Sequence, residues 1–202
     1  MLNRPTVQLN CHVFQLNDAP AEAVSKKILS DVSRGLLFLH RLGFVHQDIK
    51  PENVLLRRSD GDRFDAVICD LGLVSTPGLK TSIEGTLPFL SRSAHRRQVS
   101  ASSDFESLFF VAVITWAGRL PWYNLPSLQR VLQAKTEAFT DLEVFFAGLD
   151  AGQVPDYIRS FGGELNTADP DLEAINRTLL QHGITAPIRF DDIVQVKNQK
   201  LL

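Results

Sequence analysis

The sequence has few of the residues that mark secreted, zinc-binding or membrane proteins. It contains two cysteines among 202 residues, Cys11 and Cys69, and they are not part of a spaced ligand cluster. Neither a disulfide framework nor a structural zinc site is therefore indicated, and a reducing compartment, the cytoplasm or the nucleus, is expected. No apolar stretch approaches the length of a bilayer-spanning helix, and no basic segment leads into an apolar one as in a secretory signal.

The sequence also lacks a strong charge of either sign. Its 21 lysines and arginines and its 23 aspartates and glutamates give a formal net charge of -2. Neither nucleic acid nor an anionic membrane surface is therefore expected as a partner. With 44% hydrophobic and 22% charged residues, the composition is that of a globular domain with a substantial core.

Apolar periodicity predicts a mainly helical chain. Apolar residues recur at helical spacing over residues 20–42 and predict a helix there. The run from 104 to 117 is apolar almost throughout, which predicts a buried helix that ends at Gly118. Further along, capping patterns at 140–143 and at 169–170 are expected to begin two more helices.

Between the first two helices, the sequence predicts a small hairpin and then a long loop. Short apolar runs at 54–56 and 66–69 flank an Asp-Gly pair, which is a hairpin signal. The segment 70–95 is rich in glycine, serine, threonine and proline, and long ordered loops of this kind are usually functional. Because no linker divides the chain, we predict one domain over residues 1–195 and a short tail at 196–202.

One stretch carries the residue types that phosphoryl transfer requires. The reaction needs a carboxylate to orient the attacking hydroxyl, a cation beside the moving phosphoryl group, and oxygen ligands for magnesium. Asp48, Lys50 and Asn53 supply these types within six residues of one another, and Asp70 follows the second strand of the predicted hairpin. This spacing indicates a phosphoryl-transfer site at the edge of the hairpin.

The segment 46–53, which reads His-Gln-Asp-Ile-Lys-Pro-Glu-Asn, resembles the catalytic loop of eukaryotic protein kinases. Its Lys-Pro-Glu-Asn half is similar to the serine/threonine branch. Three later landmarks keep the order of that family, namely Gly85-Thr86, Asp104–Leu108 and Gly118–Trp122. The helix start at Asp104, together with Ser91 and His95 before it, is most similar to the casein kinase I group and to fungal-type protein kinases.

The resemblance implies a mainly α (α+β) fold, the helical C-lobe of a kinase with a small hairpin at its cleft. It also implies a Ser/Thr protein kinase that uses ATP and magnesium and acts on a protein substrate. Asp48 would be the catalytic base, Lys50 would stabilise the charge on the γ-phosphoryl group, and Thr86 would contact the catalytic aspartate. Asn53 and Asp70 would hold magnesium, and together with Lys50 they would bind the nucleotide.

The sequence departs from the family in the part that precedes the segment 46–53. It has no G-x-G-x-x-G, and Lys26 and Lys27 are the only earlier lysines, both within the first predicted helix. A kinase N-lobe supplies a Gly-rich loop and a lysine that clamps the phosphates. We therefore expect a catalytic C-lobe without its N-lobe: either a fragment or truncated gene product, or a C-lobe that has lost its N-lobe or borrows it from a partner. The alternative is an inactive, pseudokinase-like module that binds or scaffolds a partner.

At two further positions the sequence differs from the family, and the lack of an N-lobe is expected to leave one surface exposed. Gln47 stands where the family has an arginine that pairs with a phosphorylated loop residue, so switching by that route is not expected. Leu71 replaces a phenylalanine and remains apolar. With no N-lobe above them, Val54, Leu55 and Leu71 are expected to face water or a partner.

Several of these residues also have simpler interpretations. Asp104 could cap its helix rather than brace the catalytic loop. Asn53 could be a turn former, and Thr86 could serve loop structure alone. His46 is expected to pack beneath the loop and to take no part in proton transfer.

Overall fold

A computed structural model of the chain describes residues 6–8, 19–60 and 63–181. Six helices lie in these ranges: α1 (Ala19–Arg41), α2 (Ala101–Ala117), α3 (Leu128–Thr140), α4 (Leu142–Ala147), α5 (Asp156–Leu165) and α6 (Leu172–Gln181). Five short strands accompany them: β1 (Thr6–Gln8), β2 (Val54–Arg58), β3 (Phe64–Ile68), β4 (Gly78–Leu79) and β5 (Gln98–Val99). The domain bounds of 1–195 stay a prediction, and the tail at 196–202 lies outside the described residues.

The helices α1 and α2 form the centre of the fold. On α1, Ile28, Val32 and Leu36 are buried, at the spacing that predicted an amphipathic helix. From Ser103 to Trp116, every residue of α2 is buried, because α1 and α5 pack against it. The mainly helical class predicted from the sequence is confirmed. No helix in the described ranges has both the length and the apolar character needed to cross a bilayer.

The helix ends follow local capping chemistry. Helix α2 begins earlier than predicted because Ser100 and Ser103 form a capping box within a serine-rich stretch. It ends at Gly118 as predicted, and this residue adopts the left-handed conformation, with φ of 69°. The two later helix starts that were predicted at 140–143 and 169–170 are each shifted. Asp141 is the residue that caps α4, and Asp171 accepts a hydrogen bond from a backbone N–H in the first turn of α6.

The first three strands form an antiparallel sheet in the order β1-β2-β3. Its register pairs Val54 with Ile68 and Leu56 with Ala66, so the predicted hairpin is confirmed. The prediction that Val54 faces water is wrong, because this side chain is buried in the core that the sheet shares with α1. Leu71, just after the hairpin, is 63% exposed, as expected.

Aromatic side chains join the later helices to α2. Phe109 makes edge-on ring contacts with Phe139 of α3, Phe146 of α4 and Phe161 of α5, at centroid distances of 5.6, 6.4 and 5.6 Å. Such contacts add to the free energy gained by burying the rings. The helical layer is therefore a fixed base for the loops that lie between the hairpin and α2.

Candidate active site

Asp48 is the centre of a compact polar cluster. Its Oδ1 accepts hydrogen bonds from the backbone N–H and the hydroxyl of Thr86, at 2.9 and 2.7 Å. Its Oδ2 lies 2.8 Å from Lys50 Nζ and accepts a hydrogen bond of 3.0 Å from Asn53 Nδ2. Lys50 Nζ also donates to the Thr86 hydroxyl at 2.8 Å. The structure thus brings together four of the five predicted site residues.

The surroundings of Asp48 keep its carboxyl group ionised. Burial by itself would raise its pKa, but the hydrogen bonds from Lys50 and Thr86 outweigh burial and lower the pKa below its usual value of 3.8. Asp48 is therefore an anion at neutral pH. An anion in this position can accept a hydrogen bond from a substrate hydroxyl and orient it before any proton moves.

Asp70, the fifth predicted residue, lies at the end of β3 beside the cluster. The N–H of Cys69 donates to the carbonyl of Asn53 at 2.9 Å, which fixes the backbone next to Asp70 against the catalytic-type loop. Asp70 is exposed, has a left-handed φ of 62°, and accepts a hydrogen bond from Gly72 N at 3.3 Å. In the described part of the chain, its carboxylate makes no hydrogen bond with the Asp48 cluster.

Asp104 supports the loop from below. Its two carboxylate oxygens accept hydrogen bonds from the backbone N–H groups of His46 and Gln47, at 2.7 and 2.8 Å. One of them also lies 2.9 Å from His40 Nε2. Gln47 needs such support, because its φ of 70° is unfavourable for a residue with a side chain. Since Ser100 is the N-cap of α2, the brace is the interpretation of Asp104 that the geometry supports.

The ring of His46 is fully buried beneath the loop. Its Nδ1 accepts a hydrogen bond of 3.3 Å from the N–H of Asp48, which places the ring proton on Nε2. Nε2 in turn donates to the carbonyl of Cys69 at 3.1 Å. Both ring nitrogens are therefore used in holding the loop to the end of β3, which agrees with a structural role.

Gly85 lets Thr86 reach Asp48. It has φ of 102°, and a Cβ at this position would lie 2.6 Å from the carbonyl oxygen of Gln47. Any side chain here would push the two loops apart. The Gly85-Thr86 pair was predicted from the resemblance, and the structure gives the steric reason for its first member.

Sequence reasoning treated Gln47 only as a lost arginine and missed its contacts. The Gln47 side-chain amide donates to the carbonyl of Leu73 and, at 2.8 Å, to the hydroxyl of Ser75. Val45 and Ser75 also exchange two backbone hydrogen bonds of 2.8 and 3.1 Å. The loop that follows Asp70 is therefore tied to the catalytic-type loop by uncharged groups where the family uses an arginine.

The sequence model of the protein kinase domain matches residues 8–172, which is most of the chain and includes every residue of the candidate site. The chain belongs to the protein kinase family. In the terms of this family, the structure is consistent with the helical C-lobe of a kinase domain.

Curated relatives of this kinase domain include serine/threonine kinases. The probable casein kinase I homolog of Encephalitozoon cuniculi is 34% identical over 130 residues, which cover 58% of this chain and 38% of the relative. Serine/threonine-protein kinase VRK1 of Caenorhabditis briggsae is 32% identical over 133 residues, 61% of this chain and 24% of the relative. Nucleosomal histone kinase 1 of Drosophila melanogaster is 33% identical over 114 residues, which cover 52% of this chain and 19% of the relative. The alignments thus span well under half of each relative.

Proposed function

We propose that this chain supplies the C-lobe half of a Ser/Thr protein kinase, which transfers the γ-phosphoryl group of ATP to a protein hydroxyl. The observation that carries the proposal is the Asp48 cluster. A carboxylate, an ammonium group and a hydroxyl lie within 3 Å of one another on two loops braced by buried groups. Isolated aspartates and lysines on a surface do not converge in this way.

Each member of the cluster has a role that its chemistry fits. Asp48 accepts the hydrogen bond of the substrate hydroxyl and receives its proton as the new oxygen–phosphorus bond forms and the bond to the bridging oxygen of ADP breaks. Lys50 faces the oxygens of the moving phosphoryl group and neutralises their charge. Thr86 holds both side chains through its hydroxyl and its N–H.

The residues present also fit a magnesium ion. The amide nitrogen of Asn53 donates to the backbone and side chain of Asp48, which leaves the amide oxygen as the atom available to a cation. Asp70 offers an exposed carboxylate. Magnesium binds through one or two carboxylates or other oxygens together with substrate phosphates, so a larger acidic cluster is not required. When bound, the ion would offset the negative charge of the phosphates.

The rest of the nucleotide site must come from outside these 202 residues. The sequence contains neither the Gly-rich loop nor an N-lobe lysine that would clamp the phosphates. We propose that another polypeptide segment supplies these groups in the working kinase, in the cytoplasm or the nucleus. The protein substrate would bind along the segment that follows Thr86.

Calorimetric titration with Mg-ATP tests the half-site directly. The wild-type chain is compared with Asp70→Ala and with Asp169→Ala, a control that removes an exposed carboxylate between α5 and α6. We expect binding by the wild type and the control, and at least a tenfold loss with Asp70→Ala. Equal binding by all three variants would contradict the proposed metal site.

The second candidate is a pseudokinase-like module that binds a partner without catalysis. The absence of a Gly-rich loop and of an N-lobe lysine from the sequence favours it. The same titration bears on both functions: binding that is lost in Asp70→Ala supports the kinase half-site, whereas no heat of binding at millimolar Mg-ATP would mean that this chain is by itself a scaffold or a fragment.

A further inference from the structure

The segment directly after Thr86 is held from below through its carbonyl groups. Lys135 of α3 donates from Nζ to the carbonyl oxygens of Leu87 and Leu90, at 2.9 and 2.6 Å. Between them, the carbonyl of Pro88 accepts a hydrogen bond of 2.8 Å from Trp122 Nε1. Three of four successive carbonyls are therefore bound by side chains from α3 and from the turn that follows α2.

Lys135 is unusual because it is fully buried, with 0% of its surface exposed. Its Nζ lies 4.8 Å from the ring centre of Phe110, 5.7 Å from that of Trp122 and 3.3 Å from His95 Nε2. In the described ranges, no carboxylate lies within ion-pair distance of it. Lysine is almost never fully buried unless it is paired, so carbonyl dipoles and aromatic faces are what compensate this charge.

The charged groups around Lys135 leave it without a counter-ion. Glu106 of α2 is engaged by the backbone N–H and the guanidinium of Arg92, at 2.7 and 3.1 Å. Burial, Lys135 itself and Arg96 lower the pKa of His95 to about 4, so this ring is neutral at physiological pH. Burial lowers the pKa of Lys135 to about 7, and Glu106 opposes this only in part.

We propose that Lys135 is a positioning residue, which fixes the turn at 87–90 and thereby holds Thr86 against Asp48. The connection is short, since the N–H groups of Phe89 and Leu90 both donate to the carbonyl of Thr86, at 2.9 and 3.0 Å. Releasing the two carbonyls bound by Lys135 would loosen this turn at its base. The consequence for catalysis rests on the proposed kinase function, whereas the effect on the turn does not.

A titrating lysine also gives the turn a defined dependence on pH. When the turn opens, water reaches Lys135 and its pKa returns toward the ordinary value of 10.5. The open form then binds more protons than the closed form, so the closed form gains stability as pH rises above about 7. One proton limits this gain to about tenfold in the closing equilibrium for each pH unit.

Hydrogen–deuterium exchange of the full 202-residue chain tests the proposal without nucleotide or activity. The wild type is compared with Lys135→Met, which keeps the length and removes the donors, and with Arg130→Met, an exposed control on the same helix. We expect Lys135→Met to speed exchange at Thr86, Phe89 and Leu90 at least tenfold, with Arg130→Met unchanged and the β2–β3 amides unaffected. Equal exchange at the three amides in both variants would overturn the proposal.

A pH series on the wild type keeps the test decisive if Lys135→Met does not fold. Protection of the same three amides, corrected for intrinsic exchange, should rise between pH 7 and pH 9, by as much as about tenfold for each unit. A flat profile in the wild type would overturn the proposal. Because Mg-ATP is absent, either result is independent of whether the proposed kinase function holds.

Discussion

Two buried charged groups hold the segment 86–90, Asp48 through Thr86 at what we call its front and Lys135 through Leu87 and Leu90 at its back, and their charges are compensated in different ways. At the front, Asp48 meets Lys50 at 2.8 Å, and its pKa is lowered because hydrogen bonds to the charged form outweigh burial. At the back, the groups that Lys135 meets among the described residues are carbonyls, a neutral imidazole and aromatic rings, and burial lowers its pKa to about 7.

The difference separates a charge that we propose serves chemistry from one that we propose serves structure. Asp48 is stabilised as an anion, and 10% of its side-chain surface stays exposed. Lys135 is destabilised as a cation, so it is best suited to a dry site where only its hydrogen-bond donors are used. Both ends should therefore gain stability as pH rises, but over different ranges, the front below about pH 4 and the back above about pH 7.

The largest expected loss of stability comes from removing Asp104, which supports the loop at the front end. Asp104→Ala would leave two buried backbone N–H groups and His40 Nε2 without their acceptor. We expect a loss of about 3–5 kcal/mol in the free energy of unfolding, since each buried donor left without an acceptor costs about 1–3 kcal/mol. Urea denaturation measures it, with Asp169→Ala as the control. A loss below about 1 kcal/mol would show that the brace is not needed.

A smaller loss of stability is expected from removing the charge of Asp48 itself. Asp48→Asn should lower the free energy of unfolding by about 1–2 kcal/mol at pH 7, since hydrogen bonds to a charged group are the stronger kind. Because the folded pKa of Asp48 is lowered, its contribution is full above the unfolded value of 3.8 and is lost as pH falls through the folded value.

Denaturation of the wild type and Asp48→Asn from pH 7 down to pH 3 measures this loss. The difference between the two chains should hold down to about pH 4 and then shrink. A difference that grew in acid would mean that Asp48 is destabilised as an anion, like Lys135 as a cation, and the comparison would fail.

The smallest loss of stability is expected from changing Gln47, which joins the front end to the loop after Asp70. Gln47→Ala removes the hydrogen bonds to Leu73 and Ser75 and should cost about 1 kcal/mol. Because this loop is largely exposed, limited proteolysis within 71–80 is the sensitive measurement. Gln133→Ala, which removes an exposed amide from α3, is the control. Equal cleavage of the two variants would show that Gln47 does not hold the loop.

The parts of the fold that the sequence predicted depend on local patterns. The buried run before Gly118 and the Asp-Gly hairpin each carry their signal within a few residues, and both elements are present. The spacing from Asp48 to Asn53 placed one half of the candidate site in the same way. Helix starts were less predictable, because several serines near Ser100 could each have been the cap.

The contacts that the sequence did not predict are long-range. Lys135 lies on a helix whose other polar residues are exposed, and nothing local distinguishes it from them. Its partners stand more than 40 positions earlier in the chain. The brace from Asp104 spans a similar separation, and only the resemblance indicated it. Such contacts depend on how α1, α2 and α3 pack, which no short pattern encodes.

The backbone of Gly85 has a consequence for how mutational scans of this protein should be interpreted. A methyl group there would meet the carbonyl of Gln47 and move Thr86 away from Asp48. An alanine scan would therefore score Gly85 as strongly as a residue that touches the substrate, although it contributes no functional group. At this position, a loss of activity would measure the space between two loops and not a chemical role.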